Sequence, residues 1–255
     1  FIIEVQYLLD TIKDLTLYML SNVKSLIVSS KYFTSIMKAL KSEGAFIIEV
    51  QYLLDTIKDL TFDNIYHEHV NYWSVLSLNN FFNKLNAKLF KVEKIKTHGG
   101  SIRVFISKDQ NKKTDKSVED FLNKEKELGL DKFKIYEEFS KKVYKIKNNV
   151  KKNITNLKNN NKNIVGYGSP AKATTALNFY SISKEIDFII EDNSLKQEKF
   201  LPGVKIPIKS KKFLKNKPDY LLVLAWNFFE DIKKNNKDLA KNIISIKDLE
   251  NINFK

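Results

Sequence analysis

Two of the three histidines in this 255-residue chain fall in one tetrapeptide, Tyr66-His67-Glu68-His69. The third, His98, lies in Thr97-His98-Gly99-Gly100-Ser101. Histidine is the side chain whose unperturbed pKa lies closest to neutral pH, which makes it the default proton-transfer residue. The chain has no cysteine, so thiolate nucleophiles, thiolate metal sites and disulfides are excluded. Three chemistries fit residues 66–69. On an extended segment His67 and His69 point the same way and can hold one metal, with His98 as third ligand. Against this, such sites normally add a carboxylate three or four residues later. Residues 71–73 supply none, and Glu68 faces the other way. The second option is structural: histidines hydrogen-bonded within an aromatic cluster of Tyr66, Tyr72 and Trp73. The third is proton transfer, with one histidine as base and Tyr66 or Glu68 orienting it or binding an oxyanion.

Two glycine motifs accompany the histidines. His98-Gly99-Gly100-Ser101 is followed by Arg103, and paired glycines let backbone N–H groups approach an anion closely. The same residues also make an ordinary hairpin turn. Gly166-Tyr167-Gly168-Ser169-Pro170-Ala171 matches G-x-G-x-x-A, and Pro170 suits a first helical turn. Glu191-Asp192 then ends the next apolar run. By context this is a dinucleotide fingerprint. It supports a phosphate or nucleotide at a helix N-terminus more firmly than it supports NAD.

The elements that must position these residues are readable from residue 30 onward. Residues 31–41 carry Phe33, Ile36, Met37 and Leu40 at helical spacing. Ser42-Glu43-Gly44 ends that helix, with Gly44 expected in a left-handed cap. Residues 45–50 read as a buried strand, and residues 77–85 as a short helix with Ser77 as N-cap. Residues 88–96 and 101–107 form a hairpin-like pair of strands. Residues 117–158 form a long helix, in one or two pieces, with apolar positions Ile135, Phe139, Val143, Ile146, Val150, Ile154 and Leu157. That stripe favours a core face linking domains over a coiled-coil seam. Strands are expected at 163–167, 186–191, 220–225 and 242–246, with helices from about Pro170 and Asn227. Their alternation implies a parallel α/β sheet with right-handed crossovers. The helix, glycine and strand at 31–50 read as the last part of a Rossmann-like domain. The expected fold is therefore α/β: a partial Rossmann-like remnant, a helical linker and a small parallel α/β C-terminal domain.

Residues 1–16 recur unchanged at 46–61. Solenoid repeats diverge and come in at least three copies, so this is not a repeat architecture. The duplication reads as recent, or as a damaged or misassembled reading frame. The first copy is expected to be poorly placed or to pack as an extra strand and helix.

With 43% hydrophobic and 29% charged residues, the composition is that of a folded protein and not a disordered one. The formal charge is +14, yet Arg103 is the sole arginine. Base and phosphate readers favour the guanidinium fork, and the lysines travel with asparagines, as in Lys147-Asn148-Asn149. Solvated lysine-rich faces are therefore expected, without a nucleic-acid partner, and their field can help collect an anionic small substrate. No apolar run has membrane-span length and no export signal is visible. The cytoplasm is the expected location, with no membrane partner.

Five segments together resemble the C-terminal region of S-adenosylmethionine-dependent nucleotide-sugar C-methyltransferases, which act on deoxyketohexoses. They are FDNIYHEHVNYWSVLSL at 62–78, THGGSIRVF at 97–105, GYGSPAKATTALNF at 166–179, EDNSLKQEKFLPGVKIPI at 191–208 and KPDYLLVLAWNF at 217–228. The resemblance implies a remnant of the methyl-donor domain at 17–61 and a catalytic segment with hairpin at 62–115. A long helix plus a C-terminal α/β nucleotide-sugar domain would fill 116–255. His69 would be the catalytic base, with Tyr66 and Glu68 as its partners. His67, His98, Gly99, Gly100 and Arg103 would lie on the sugar side, and Gly166, Tyr167, Gly168 and Lys172 in the turn of the nucleotide-sugar domain. A base that removes a proton next to a ketone makes that carbon nucleophilic, and donors stabilise the enolate oxygen; no metal is needed. Family members begin with a cysteine-rich zinc domain and a glycine-rich donor site. Here there is no cysteine and no glycine before Gly44. The expectation is an acceptor-binding fragment that uses S-adenosylmethionine only in the complete enzyme. Its partners would be a nucleotide-linked deoxysugar and an upstream donor-domain protein. A non-catalytic nucleotide-sugar binding module, or an NAD-dependent sugar oxidoreductase using the Gly166 turn, are the competing expectations.

Overall fold

The computed structural model describes residues 17–19, 30–66, 69, 71–95 and 100–251. Residues 1–16, and with them the expectation for the first repeat copy, lie outside the described residues. The described residues form two compact units. One takes residues up to Thr61 together with those from 69 to Glu137. The other takes Phe62–Tyr66 and the chain from Glu138 onward.

The first unit is built on a four-stranded sheet of β1 (Leu17–Met19), β2 (Phe46–Gln51), β3 (Lys88–Ile95) and β4 (Ser101–Ser107), in the order β1-β2-β4-β3. The expected hairpin is present: β3 and β4 pair antiparallel, with Ile95 opposite Ser101. Strand β2 bonds antiparallel to β4 and parallel to β1. Ile102, Val104 and Ile106 alternate along β4 and are fully buried, which gives the period-two face that fixes the register. Helix α1 (Ser30–Ala39) lays Phe33 edge-on against Phe46 and Phe82, with ring centroids 5.6 and 5.4 Å apart. Gly44 closes the turn after α1, its N–H donating to the Lys41 carbonyl, but not in the expected left-handed conformation. An added Cβ there would lie 2.9 Å from Leu40 Cδ1, so a larger residue would need the Leu40 side chain to shift.

Helix α2 (Leu53–Lys58) follows β2, and α3 (Val75–Lys84) starts two residues earlier than expected. Ser74 is its N-cap, and Ser77 completes a reciprocal capping box from the third helical position. The expected long helix is broken into α4 (Lys116–Glu127) and α5 (Phe133–Asn159). Gly129, at φ +69°, lies in the turn between them. Helix α5 buries Val143, Val150, Ile154 and Leu157, so the apolar stripe is a core face.

The second unit holds the expected parallel sheet, with one strand more than the sequence announces. Strands β5 (Ile164–Tyr167), β6 (Ile189–Ile190), β7 (Ile208–Lys209), β8 (Tyr220–Val223) and β9 (Asn242–Ser245) lie in the order β7-β6-β5-β8-β9, and every pairing is parallel. Strand β7 is two residues long, too short for periodicity to reveal. Helix α6 (Ala171–Tyr180) follows β5, and a 3-10 turn, Trp226–Phe228, precedes α7 (Phe229–Asn235). Strand β5 has β6 on one side and β8 on the other, so the strand order reverses between β5 and β8. No described helix is long and apolar enough to cross a membrane.

Candidate functional site

His67, Glu68, His98 and Gly99 lie outside the described residues. The remaining candidates fall into two sets, one in each unit.

In the first unit, Gly100 leads directly into β4. Its φ is +119°, and an added Cβ would lie 2.0 Å from Asp55 Oδ2. Glycine is therefore required on both conformational and packing grounds. The Gly100 carbonyl accepts from the Tyr52 N–H at 3.2 Å. Asp55 is ion-paired with Lys94, whose Nζ lies 4.5 Å from the Tyr52 ring centroid. Ile95 is held in the β3–β4 pairing and Gly100 by the bond from Tyr52. Arg103 contacts Glu49 (3.0 Å) and Glu93 (3.7 Å), and Glu49 is buried. Arg103 thus pairs with a carboxylate on each neighbouring strand, Glu49 of β2 and Glu93 of β3. His69 is half-buried in the segment leading to Trp73, whose carbonyl accepts from the Leu53 N–H and whose ring packs on Phe81.

In the second unit, Gly166, Tyr167, Gly168 and Lys172 come together at the carboxyl ends of β5 and β8. At Gly166 an added Cβ would lie 2.9 Å from Ile189 Cγ1. Gly168 has φ +84°, and a Cβ there would sit 3.1 Å from Ala225 Cβ, in the turn after β8. The Tyr167 hydroxyl donates to Asp192 at 2.6 Å; burial first, and then Asp192, raise its pKa. Ser169 donates its N–H (2.8 Å) and its hydroxyl (2.6 Å) to Glu191. Burial alone would raise the Glu191 carboxyl, but these bonds, the Asn193 N–H and Lys196 together hold it below the ordinary glutamate range.

Residues 62–66 belong to this unit too. Phe62 packs against Phe179 and Tyr180 of α6, with centroids 4.9 and 5.6 Å away. Asp63, 5% exposed, accepts from Trp226 Nε1 at 2.5 Å. Tyr66 is half-buried, its N–H donating to the Asn64 carbonyl. Lys172 turns inward. Its Nζ is buried without a hydrogen-bond partner and lies 4.6 Å from the Trp226 ring centroid, with Lys247 Nζ at 3.7 Å. Burial pushes the Lys172 ammonium down, Asp63 opposes this and Lys247 adds to it. Burial raises the Asp63 carboxyl against the pull of Trp226, Lys172 and Lys247. Sequence reasoning missed Asp63, Trp226 and Lys247. The available signal was a tryptophan directly after an apolar strand in an α/β alternation.

The second unit is an α/β domain with a parallel sheet, a glycine turn and a switch point, the architecture in which small ligands meet strand ends. Residues 96–245 match the family described as the C-methyltransferase C-terminal domain, and the chain belongs to that family. It is 32% identical over 184 residues to a Streptomyces niveus protein named C-methyltransferase NovU. That match takes in 71% of this chain and 44% of the relative, so the chain aligns with less than half of the relative's length.

Proposed function

We propose that this chain is the acceptor-binding part of an S-adenosylmethionine-dependent sugar C-methyltransferase, acting on a nucleotide-linked keto-deoxysugar. The observation that carries this reading is the family match over 96–245, which starts beside His98, contains the Gly166 turn and ends at the last parallel strand. His69 acts as the base that takes a proton from the carbon next to the ketone, with Tyr66 and Glu68 as its partners. His67, His98, Gly99, Gly100 and Arg103 lie on the sugar side. Gly166, Tyr167, Gly168 and Lys172 form the central turn of the nucleotide-sugar domain. The methyl group comes from S-adenosylmethionine. Among the described residues, those before Gly44 contain no glycine that could cradle the donor. A donor-domain protein is the partner proposed to supply that site. The cytoplasm, where nucleotide sugars are available, is the assigned location.

Calorimetry on the 255-residue chain tests this. A nucleotide-linked keto-deoxysugar should bind at micromolar concentration and S-adenosylmethionine should not. In a mixture with a donor-domain protein, His69→Ala should lower turnover by about 10²–10⁴-fold while nucleotide-sugar affinity stays within a few-fold. Micromolar S-adenosylmethionine binding refutes the donor assignment, and a large affinity loss in His69→Ala makes that residue structural.

A further inference from the structure

A dinucleotide-binding turn works through two features. Backbone N–H groups between the first strand and its helix take the pyrophosphate, and an acid about 20 residues on, at the end of the second strand, takes a ribose hydroxyl. The second unit has both, at Ser169 and at Glu191, 22 positions apart, and the strands that lead to them, β5 and β6, are neighbours in the parallel sheet. Here the two features are bonded to each other. Glu191 Oε2 accepts from the Ser169 N–H (2.8 Å) and hydroxyl (2.6 Å), and Oε1 accepts from the Asn193 N–H (3.0 Å). Both partners are shielded: Ser169 is 7% exposed and the Glu191 side chain 13%. The loop after β6 ties down the same pair, with Lys196 Nζ donating to the Ser169 carbonyl (3.0 Å) and Gln197 Nε2 to the Glu191 carbonyl (2.7 Å). Asp192, the other acid at that strand end, accepts from the Tyr167 hydroxyl and pairs with Lys211 at 3.2 Å.

We propose that the glycine turn is closed by its own acid: the Glu191 carboxylate stands on the donors that a dinucleotide's phosphate would use, and Glu191 is the residue that excludes dinucleotides from this unit. A carboxylate held by a backbone N–H and a hydroxyl makes the charge-assisted bonds that a phosphate oxygen would make. Its charge also repels an incoming pyrophosphate, and both acids at the end of β6 are already engaged. A dinucleotide would have to displace Glu191 and leave a charge-assisted pair unmade, which costs roughly ten- to a hundredfold in affinity. This inference rests on the Ser169–Glu191 geometry and not on the proposed function.

The Ser169 amide signal in a ¹⁵N spectrum of the full chain reads the turn directly. In about 0.15 M salt, which screens unspecific attraction to the lysines, inorganic pyrophosphate and NADH should each leave that signal in place in the parent. Glu191→Ala should make it respond to pyrophosphate, with an affinity at least about tenfold above the parent's limit. Glu230→Ala removes the same charge from an exposed position on α7 and should behave as the parent does. The proposal is overturned if pyrophosphate or NADH shifts the Ser169 amide in the parent, if Glu191→Ala stays silent, or if Glu230→Ala gains the same response. Should Glu191→Ala fail to fold, the isosteric and uncharged Glu191→Gln decides, and silence there overturns the proposal too. Nucleotide-sugar calorimetry on the parent chain reads the proposed function separately, so each can fail without the other.

Discussion

Ser169 and Glu191 show how one residue pair can look like a ligand site and be internally satisfied. The glycine turn and the acidic pair after the next strand were both legible in the sequence. That the glutamate would bond the turn itself was not, because spacing says nothing about which way a carboxylate folds back. Ser169→Ala removes one charge-assisted bond and should cost about 1–2 kcal/mol at neutral pH. Because the folded Glu191 carboxyl lies below its unfolded value, its contribution to stability is present above the ordinary glutamate pKa. It is lost as pH falls through the depressed value. In Ser169→Ala the Glu191 pKa should rise and the acid-unfolding midpoint should move up; a midpoint unchanged from the parent would refute the assignment. Tyr66 and His69 stood out by scarcity and company alone. Asp63 did not, because an aspartate three residues before a tyrosine acquires meaning only through Trp226, which local pattern cannot supply.

At the scale of elements, α3 shows what local rules capture and where they stop. The serine-rich entry to a helix was legible, though Ser74 and not Ser77 is the cap, because the two serines bond reciprocally and either reads as an N-cap. What the local sequence does not contain is Glu125 on α4, which is buried and accepts from the N–H groups of Val75 (2.7 Å) and Leu76 (2.9 Å). A carboxylate at that helix start satisfies two otherwise orphaned donors and complements the helix dipole. Glu125→Gln should lower stability by about 2–3 kcal/mol, read as a lower urea midpoint at unchanged slope. A loss below about 0.5 kcal/mol would mean that water replaces the carboxylate. Period-two alternation in β4 and the helical stripe in α5 were plain, whereas β6 and β7 have two residues each and carry no period.

For the whole molecule, two separate cores follow from the two units. Phe82 is fully buried beside Phe33 and Phe46, so Phe82→Ala should cost the first core about 3–5 kcal/mol. In a thermal series the Trp73 indole signal should be lost first while Trp226 keeps its native position; simultaneous loss of both would show one cooperative core. The α/β class of the second unit was legible because alternating strands and helices leave few topologies. The assignment of five residues from the middle of the chain to that unit was not, since it depends on a contact and not on a pattern. Those five residues also set an order of events during synthesis. The first unit can close once the ribosome has passed Glu137, but residues 62–66 must wait for β8 and the turn that carries Trp226. Closing so long a loop is the slow kind of step. Of all the site residues, those of the 62–66 segment are therefore fixed last, after nearly the whole chain has been made.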